Sequence, residues 1–117
     1  MALSKSSTTL LASQSLGAGA SVNVTELDLT GKNAAHIFVK ITNGSPAPTT
    51  PPTVIFYAGE ASGVKREIAR GAGDITASSV NHPNCRYSLA NMFANVTITN
   101  GATNAITVEV YAQTASL

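Results

Sequence analysis

NVTITNGATNAITVEVYAQ, residues 95–113, is the stretch that decides the fold class predicted for this chain. Valine and isoleucine alternate with polar residues on both sides of Asn100 and Gly101. Alternation with a period of two is typical of a strand that buries one face. An Asn-Gly pair between two such runs favours a tight turn. The stretch therefore predicts two antiparallel strands joined as a β-hairpin.

Four earlier stretches extend the strand pattern toward the N-terminus. Residues 34–43, AAHIFVKITN, place isoleucine and valine on one face and mainly polar or aromatic residues on the other. Residues 53–59, TVIFYAG, are apolar on both faces, which is typical of a central strand. Residues 64–71, VKREIARG, carry charges that suit an edge strand, because charge discourages unwanted pairing. Residues 21–29, SVNVTELDL, shift phase near Thr25, which predicts a bulge or a bend.

The remaining segments complete the prediction of the fold. Residues 71–84 have the composition of a loop with a short strand around Ile75, and residues 85–93 alternate again. No segment has the length and period of a stable helix. About seven to nine short strands, with turn signals roughly every 8–12 residues, predict an all-β antiparallel β-sandwich or jelly-roll-like fold. The 117 residues suit one domain, residues 1–117, in which residues 1–7 are interpreted as an N-terminal arm.

Composition and charge exclude several classes of protein. Charged residues make up 11% of the chain, and the formal net charge is +1. A nucleic-acid binder usually carries a larger, clustered positive charge, so we expect no nucleic-acid partner. No apolar run approaches the roughly 18 residues of a membrane span, and the N-terminus lacks the apolar core of a signal peptide. We therefore expect that the protein does not associate with a membrane and that it is synthesised in a cytoplasm.

Residues that could support catalysis or metal binding are few. The candidate bases are His36 and His82, and His82 lies three residues before the single cysteine, Cys85. This spacing alone is weak evidence for a Cys-His pair, and a turn histidine with a core cysteine is the favoured interpretation. Two histidines, one cysteine and six scattered acids do not supply a zinc or calcium site within one chain, although a site shared between subunits stays open. We predict no enzyme activity and no cofactor.

The aromatic residues bear on sugar binding. They make up 5% of the chain, with no tryptophan, and most lie within apolar strands. A core position is therefore the expectation for most of them, which weakens the case for specific carbohydrate binding. The set is Phe38, Phe56, Tyr57, Tyr87, Phe93 and Tyr111.

A proline-rich loop, residues 43–52 (NGSPAPTTPP), holds four of the five prolines. Proline keeps such a segment extended and lowers the entropic cost of ordering it on a partner. The loop is therefore a candidate interface, and a hairpin loop without a partner is the alternative. A second candidate is the basic part of residues 64–71 against an acidic neighbour, although Glu60 and Glu67 partly cancel its charge. The candidate interface residues are Ser45, Pro46, Pro48, Thr49, Pro51, Lys65, Arg66 and Arg70.

Two stretches carry a resemblance to a known class of proteins. TTLLASQSLGAGASVNVTELDLTGKNAAHIFVKITNG, residues 8–44, resembles the start of small virion proteins of tailed bacteriophages, particularly capsid decoration (cement) proteins. YSLANMFANVTITNGATNAITVEVYAQT, residues 87–114, is similar to their C-terminal hairpin. The resemblance is one of composition and architecture, without a motif to which site residues could be assigned. It implies a β-sandwich that oligomerises, often as a trimer, and clamps neighbouring major capsid subunits.

These observations lead to one predicted function and one alternative. The prediction is a non-enzymatic viral structural protein that decorates and stabilises a phage capsid by bridging neighbouring capsid subunits. Its partners would be the major capsid protein, itself as a homo-oligomer, or both, and its location the virion, after synthesis in the bacterial host cytoplasm. The alternative is a tail, neck or fibre component that binds another virion protein or a host-surface glycan.

Overall fold

Ten β-strands form two antiparallel sheets in the structure, a computed structural model that describes residues 3–117. Within these residues no helix occurs, and hence none that is long and apolar enough to cross a membrane. The strands are β1 (Ser4–Leu16), β2 (Ser21–Asn23), β3 (Leu27–Asp28), β4 (Ala34–Asn43), β5 (Thr53–Gly59), β6 (Arg66–Ala72), β7 (Val80–Asn81), β8 (Asn84–Tyr87), β9 (Phe93–Thr99) and β10 (Ile106–Ser116).

The strand order is that of a jelly roll. Sheet A has the order β1-β10-β4, with β7 and β8 paired one after the other along the free side of β4. Sheet B has the order β9-β5-β6, with β2 and β3 paired one after the other along β9. The ten segments thus occupy eight strand positions, four in each sheet, and most connections cross from one sheet to the other. This arrangement confirms the predicted antiparallel sandwich.

The core lies between the inner faces of the two sheets. Ile37, Val39 and Ile41 of β4 are completely buried, as their alternation predicted. Phe56, on β5, is 1% exposed, and β5 lies between β9 and β6 as expected of a central strand. Fully burying an aliphatic or aromatic side chain of this size contributes roughly 1.5–3 kcal/mol. The buried apolar faces therefore hold the sandwich together without a disulfide.

One buried tyrosine ties the two sheets together through a hydrogen bond. Tyr87, at the end of β8 in sheet A, is 5% exposed. Its hydroxyl donates to the carbonyl oxygen of Tyr57 in sheet B at 2.9 Å and lies 3.4 Å from that of Asn95. Burial raises the pKa of the Tyr87 phenol, so the hydroxyl keeps its proton and remains a donor.

The predicted hairpin in residues 95–113 is wrong, although both of its strands exist. Strand β9 belongs to sheet B and β10 to sheet A, so residues 100–105 cross between the sheets. Asn100 is 4% exposed, and its Nδ2 donates to carbonyl oxygens that include those of Leu16 and Asn104. Gly101 packs against the backbone of Thr50, where a Cβ atom would overlap the carbonyl oxygen. The Asn-Gly pair thus forms a packed corner. The Asn100 side chain supplies hydrogen bonds there, and Gly101 is small enough to fit against the Thr50 backbone.

Other local predictions have mixed outcomes. Strand β6 is an edge strand as predicted, and the bend near Thr25 separates β2 from β3. The short strand around Ile75 is absent, and that side chain is 56% exposed within the loop 73–79. Residues 4–7 of the predicted N-terminal arm pair with β10 from Ser4 onward. Residues 1–2 of that predicted arm lie outside the described part of the chain.

Candidate interaction surfaces

The sandwich has two ends that carry different loops. Loops 17–20, 44–52, 73–79 and 100–105 lie at one end, called here the proline end. Loops 29–33, 60–65 and 88–92 lie at the opposite end. The molecule measures 50 × 27 × 18 Å, and the strands of both sheets run between the two ends.

The proline-rich loop is packed onto the molecule. The side chains of Pro48 and Pro52 are less than 2% exposed. The Thr49 amide donates to Thr103 Oγ1 at 3.1 Å, and Asn104 Nδ2 donates to the Ala47 carbonyl oxygen at 3.0 Å. The loop also joins sheet A to sheet B, so it is not a hairpin loop. The side chain of Pro48 is already buried within the chain, so the loop would contact a partner through its other residues.

The remaining loop candidates form an uncharged outer surface at the proline end. Ser45, Pro46, Thr49 and Pro51 are all exposed. Their neighbours in the crossing loop 100–105 carry no charge either. A small-residue surface without charge has little desolvation cost, which suits a wide contact with another protein.

The basic candidates on the edge of sheet B are largely neutralised. Arg66 and Glu60 form a bidentate pair, with Nη2 2.6 Å from Oε1 and Nε 3.0 Å from Oε2. Arg70 and Glu67 form a second such pair at 2.7 and 2.8 Å. The hydrogen bonds from Arg66 lower the pKa of Glu60 to about 2, so this pair stays charged at neutral pH. Lys65 lies 5.3 Å above the ring of Tyr57.

The sheets do not bring the two groups of candidates together. Lys65 and Arg66 lie where the loop 60–65 meets β6, at the end opposite the prolines. Arg70 lies further along β6, beside Ile55. Lys65 and Arg66 therefore mark a surface separate from the proline end, whereas Arg70 lies two residues before β6 reaches that end.

Sequence reasoning missed an aromatic row on the outer face of sheet A. His36 stacks on Phe38 with ring centroids 4.1 Å apart, and Phe38 stacks on Tyr111 at 5.9 Å. All three rings are half-buried, whereas among the aromatics only Phe56 and Tyr87 belong to the core. The expectation of a core position is thus wrong for Phe38 and Tyr111, and Tyr57 and Phe93 are also only half-buried. The signal was present in the sequence, because both residues alternate with buried neighbours in their strands.

A cleft of about 740 Å³ lies next to this row, at the ends of β1, β10, β4 and β8. Ser7, Gln113, His36 and Arg86 pair in register across the four strands, so their side chains share one face of the sheet. Two cationic residues, Lys5 and Arg86, line the cleft, and no acidic residue does. Across residues 3–117, neither cation forms an ion pair.

The geometry around His36 identifies its hydrogen-bonding role. Asn84 donates its Nδ2 to the His82 carbonyl oxygen at 2.9 Å, which leaves Asn84 Oδ1 as an acceptor. His36 Nε2 lies 2.9 Å from that oxygen and therefore donates. This hydrogen bond and the Phe38 ring fix the orientation of the imidazole.

The structure separates the residues of the weak Cys-His alternative. Cys85 pairs with the buried Ile37, whereas His36 pairs with Arg86 on the outer face of the same sheet. Burial raises the pKa of the Cys85 thiol, which disfavours the nucleophilic thiolate. His82 is exposed, in the break between β7 and β8. Across residues 3–117, no three histidine, cysteine or acidic side chains lie close enough together to hold a metal ion.

Known structures share this fold at low sequence identity. XepA, an exported protein of PBSX, matches with a TM-score of 0.67 and 12% identity, over 95% of this chain and 37% of that one. The disulfide-linked pili of Bacillus endospore appendages match with a TM-score of 0.59 and 14% identity, over 98% of this chain and 88% of that one. YomS, derived from the SPBc2 prophage, matches with a TM-score of 0.54 and 16% identity, over 99% of this chain and 96% of that one. No protein-family model and no curated protein matches the chain significantly.

Two further matches show how widely the fold is used. The VP2 subviral particle of infectious bursal disease virus matches with a TM-score of 0.60 at 6% identity, over 97% of this chain and 33% of that one. TmCBM61, in complex with β-1,4-galactotriose, matches with a TM-score of 0.53 and 10% identity, over 86% of this chain and 67% of that one. At such identities the matches establish the jelly-roll fold, which hosts many functions, so function has to be argued from the surfaces of this chain.

Proposed function

We propose that this protein is a non-enzymatic structural component of a phage particle that stabilises the capsid by bridging neighbouring subunits. The observation that carries this proposal is the position of the candidate contact surfaces at opposite ends of a rigid sandwich 50 Å long. A bridging protein needs two separate surfaces whose distance is fixed by a stiff body. Phage-derived and viral proteins among the matches share the fold and are compatible with this function.

The chemistry of the two surfaces supports contacts with protein. The proline end presents small uncharged residues on a loop that is already ordered by the buried Pro48 and Pro52. A partner would therefore bind it with little further loss of loop entropy. The opposite end presents Lys65 with the Arg66–Glu60 pair, and a small depression beside it is lined by Ile68 and Met92. Many copies of such modest contacts would add up on a symmetric shell.

The test adds the purified protein back to expanded, undecorated capsid shells and measures their melting temperature. We expect the wild-type protein to bind and to raise the melting temperature. Pro51→Asp at the proline end and Lys65→Glu at the opposite end should each abolish the rise. Thr25→Glu, exposed in the bend between β2 and β3 and midway between the two ends, is the matched control and should behave as wild type.

Two outcomes would contradict bridging. A wild-type protein that does not bind the shells would remove the proposal altogether. A variant with one disabled end that stabilises shells as well as wild type would show that the second surface is not used.

The outer face of sheet A favours one alternative, binding of a host-surface glycan. The cleft beside His36 combines polar side chains and two unpaired cations with an adjacent aromatic row. Stacked aromatics and a few convergent polar groups are features of small-ligand sites. Binding to a glycan array, lost in Arg86→Gln and retained in Lys32→Gln, together with no affinity for shells, would favour this alternative.

A further inference from the structure

The four sheet edges of this sandwich differ in how they are protected. A sheet edge exposes unpaired backbone N–H and C=O groups, and natural proteins guard such edges with charge, breaks or short strands. Strand β6 carries Arg66, Glu67 and Arg70 among its seven residues. The edge of β2 and β3 consists of three and two residues, and that of β7 and β8 of two and four. Pro83 lies between β7 and β8 and interrupts the edge that they form.

The fourth edge, β1, has little of this protection. It is 13 residues long, and ten of these are exposed. Lys5 is its single charged residue, and it contains no proline. Register shifts after Thr9 and Leu11 distort its second half, and such bulges hinder pairing. The first half, Ser4–Thr9, pairs regularly with β10 and leaves a straight open edge.

We propose that Ser4–Thr9 is a self-association edge that pairs antiparallel with the same segment of a second copy of this chain. Within residues 3–117 the other edges are short, interrupted or charged, so a copy that associates edge to edge offers β1 in return. The same patch then contacts itself, which gives a closed two-fold dimer. This differs from the trimer that the resemblance to decoration proteins implies.

The register of this pairing follows from the regular segment. A two-fold axis at Ser7 pairs Lys5 through Thr9 of one copy with the same residues of the other, and Ser4 then lies opposite Leu10, where the first bulge begins. It places Ser6 opposite Thr8 and Lys5 opposite Thr9, so no like charges face each other. Hydroxyl pairs of this kind stabilise antiparallel strands. Sheet A of both copies would become one continuous sheet, and the clefts lined by Lys5 and Ser7 would adjoin at the axis.

Sedimentation equilibrium of the isolated protein tests the proposal, independently of any capsid. We expect a monomer–dimer equilibrium. Ser7→Lys puts two like charges at the axis and should weaken the dimer at least tenfold. Gln113→Lys is the matched control, because Gln113 pairs with Ser7 on the same face but lies one strand inside the edge. It should leave the dimer unchanged.

Disulfide trapping gives a second readout that does not depend on weakened association. In a Cys85→Ser background, Ser7→Cys places two thiols across the axis. Opposed Cα atoms in antiparallel strands lie about 4.5–5.5 Å apart, within the roughly 4.4–6.8 Å that a disulfide spans. We expect rapid formation of covalent dimers, whereas Thr107→Cys, exposed on the inner strand β10, should remain monomeric.

Each contrary result overturns this proposal. A wild-type protein that is monomeric at all accessible concentrations rules out self-pairing, and strand addition to a different protein would then be the open question. A dimer that survives Ser7→Lys and fails to crosslink through Ser7→Cys uses another surface. A monomeric protein that still stabilises shells would remove this inference and leave the proposed function intact.

Discussion

Replacing Gly101 with alanine tests the packed corner that joins the proline-rich loop to the crossing loop 100–105. An added Cβ would overlap the carbonyl oxygen of Thr50, and it would lie 2.7 Å from Thr50 Oγ1 and 3.0 Å from its carbonyl carbon. Gly101 does not have a positive φ, so the substitution adds no strain of its own in backbone conformation. The expected effect therefore comes from space alone.

The magnitude follows from how firmly Thr50 is held. Pro51 and Pro52 follow it, their φ angles are fixed, and Pro52 is buried. Overpacking of a rigid site costs about 1–3 kcal/mol. A shift of Thr50 would also weaken the hydrogen bond from the Ala102 amide to Thr50 Oγ1, worth about 0.5–1.5 kcal/mol. Replacing glycine with alanine also lowers the entropy of the unfolded chain, which raises the free energy of unfolding by about 0.4–1 kcal/mol. Gly101→Ala should therefore lower the free energy of unfolding by about 2 kcal/mol.

Urea unfolding followed by circular dichroism measures this change. Gly17→Ala is the matched control at the same end of the sandwich, because no atom lies within 4 Å of its added Cβ and its φ is not positive. It should stay within about 0.5 kcal/mol of wild type or become slightly more stable. If Gly101→Ala is as stable as Gly17→Ala, the proline-rich loop does not pack against Gly101 as tightly as the structure indicates, and the reasoning is refuted. The same packing implies that shortening residues 46–52 would destabilise the monomer.

Three further predictions concern ionisable groups. Tyr87→Phe removes the inter-sheet hydrogen bond and should cost about 1 kcal/mol at neutral pH. Because the folded pKa of Tyr87 is raised, stability should fall as pH rises above its ordinary value near 10, and urea unfolding of Tyr87→Phe should show a weaker decline. In an NMR titration Glu60 should have its midpoint at about 2, and Arg66→Gln should raise that midpoint. The contribution of the Arg66–Glu60 pair to stability should therefore decline as pH falls from about 4.5 to about 2, where the folded carboxylate becomes protonated. The Cys85 thiol should react with a disulfide reagent at least about tenfold faster in urea than in the fold, since burial raises its pKa; equal rates would contradict its half-buried position.

Periodicity predicted what each strand buries, but not which sheet it joins. The alternation in residues 34–43 identified Ile37 and Val39 as core, and the uniform apolarity of 53–59 identified a central strand. The hairpin failed because consecutive strands of a sandwich can either pair or cross, and both connections use turn-forming residues. Asn100 and Gly101 suit either geometry, and burial of the Asn100 amide depends on Leu16, which is distant in the chain.

The surfaces were harder to predict because they depend on long-range placement. Loops have no period, so nothing in the order of residues 43–52 separates the buried Pro48 from the exposed Pro51. Lys5 and Arg86 line one cleft only because β10 and β4 lie between their strands. Phe38 is different, since its alternation with buried neighbours identified its outward face, and the assumption that aromatics belong in the core overrode that signal.

The two proposals concern surfaces that do not overlap, so both can hold in one particle. The surfaces proposed for bridging lie at the two ends of the sandwich, whereas β1 runs along its side for roughly 40 Å, at about 3.3 Å per residue. Pairing through β1 is antiparallel, so the proline end of one copy and the opposite end of the other would face the same direction, with the opposite end set back because the overlap covers only the first half of β1. A dimer would thus present the same pair of surfaces in both directions. If the dimer forms, Ser7→Lys should reduce the stabilisation of shells without affecting the fold, because each chain would then be held by its own contacts alone.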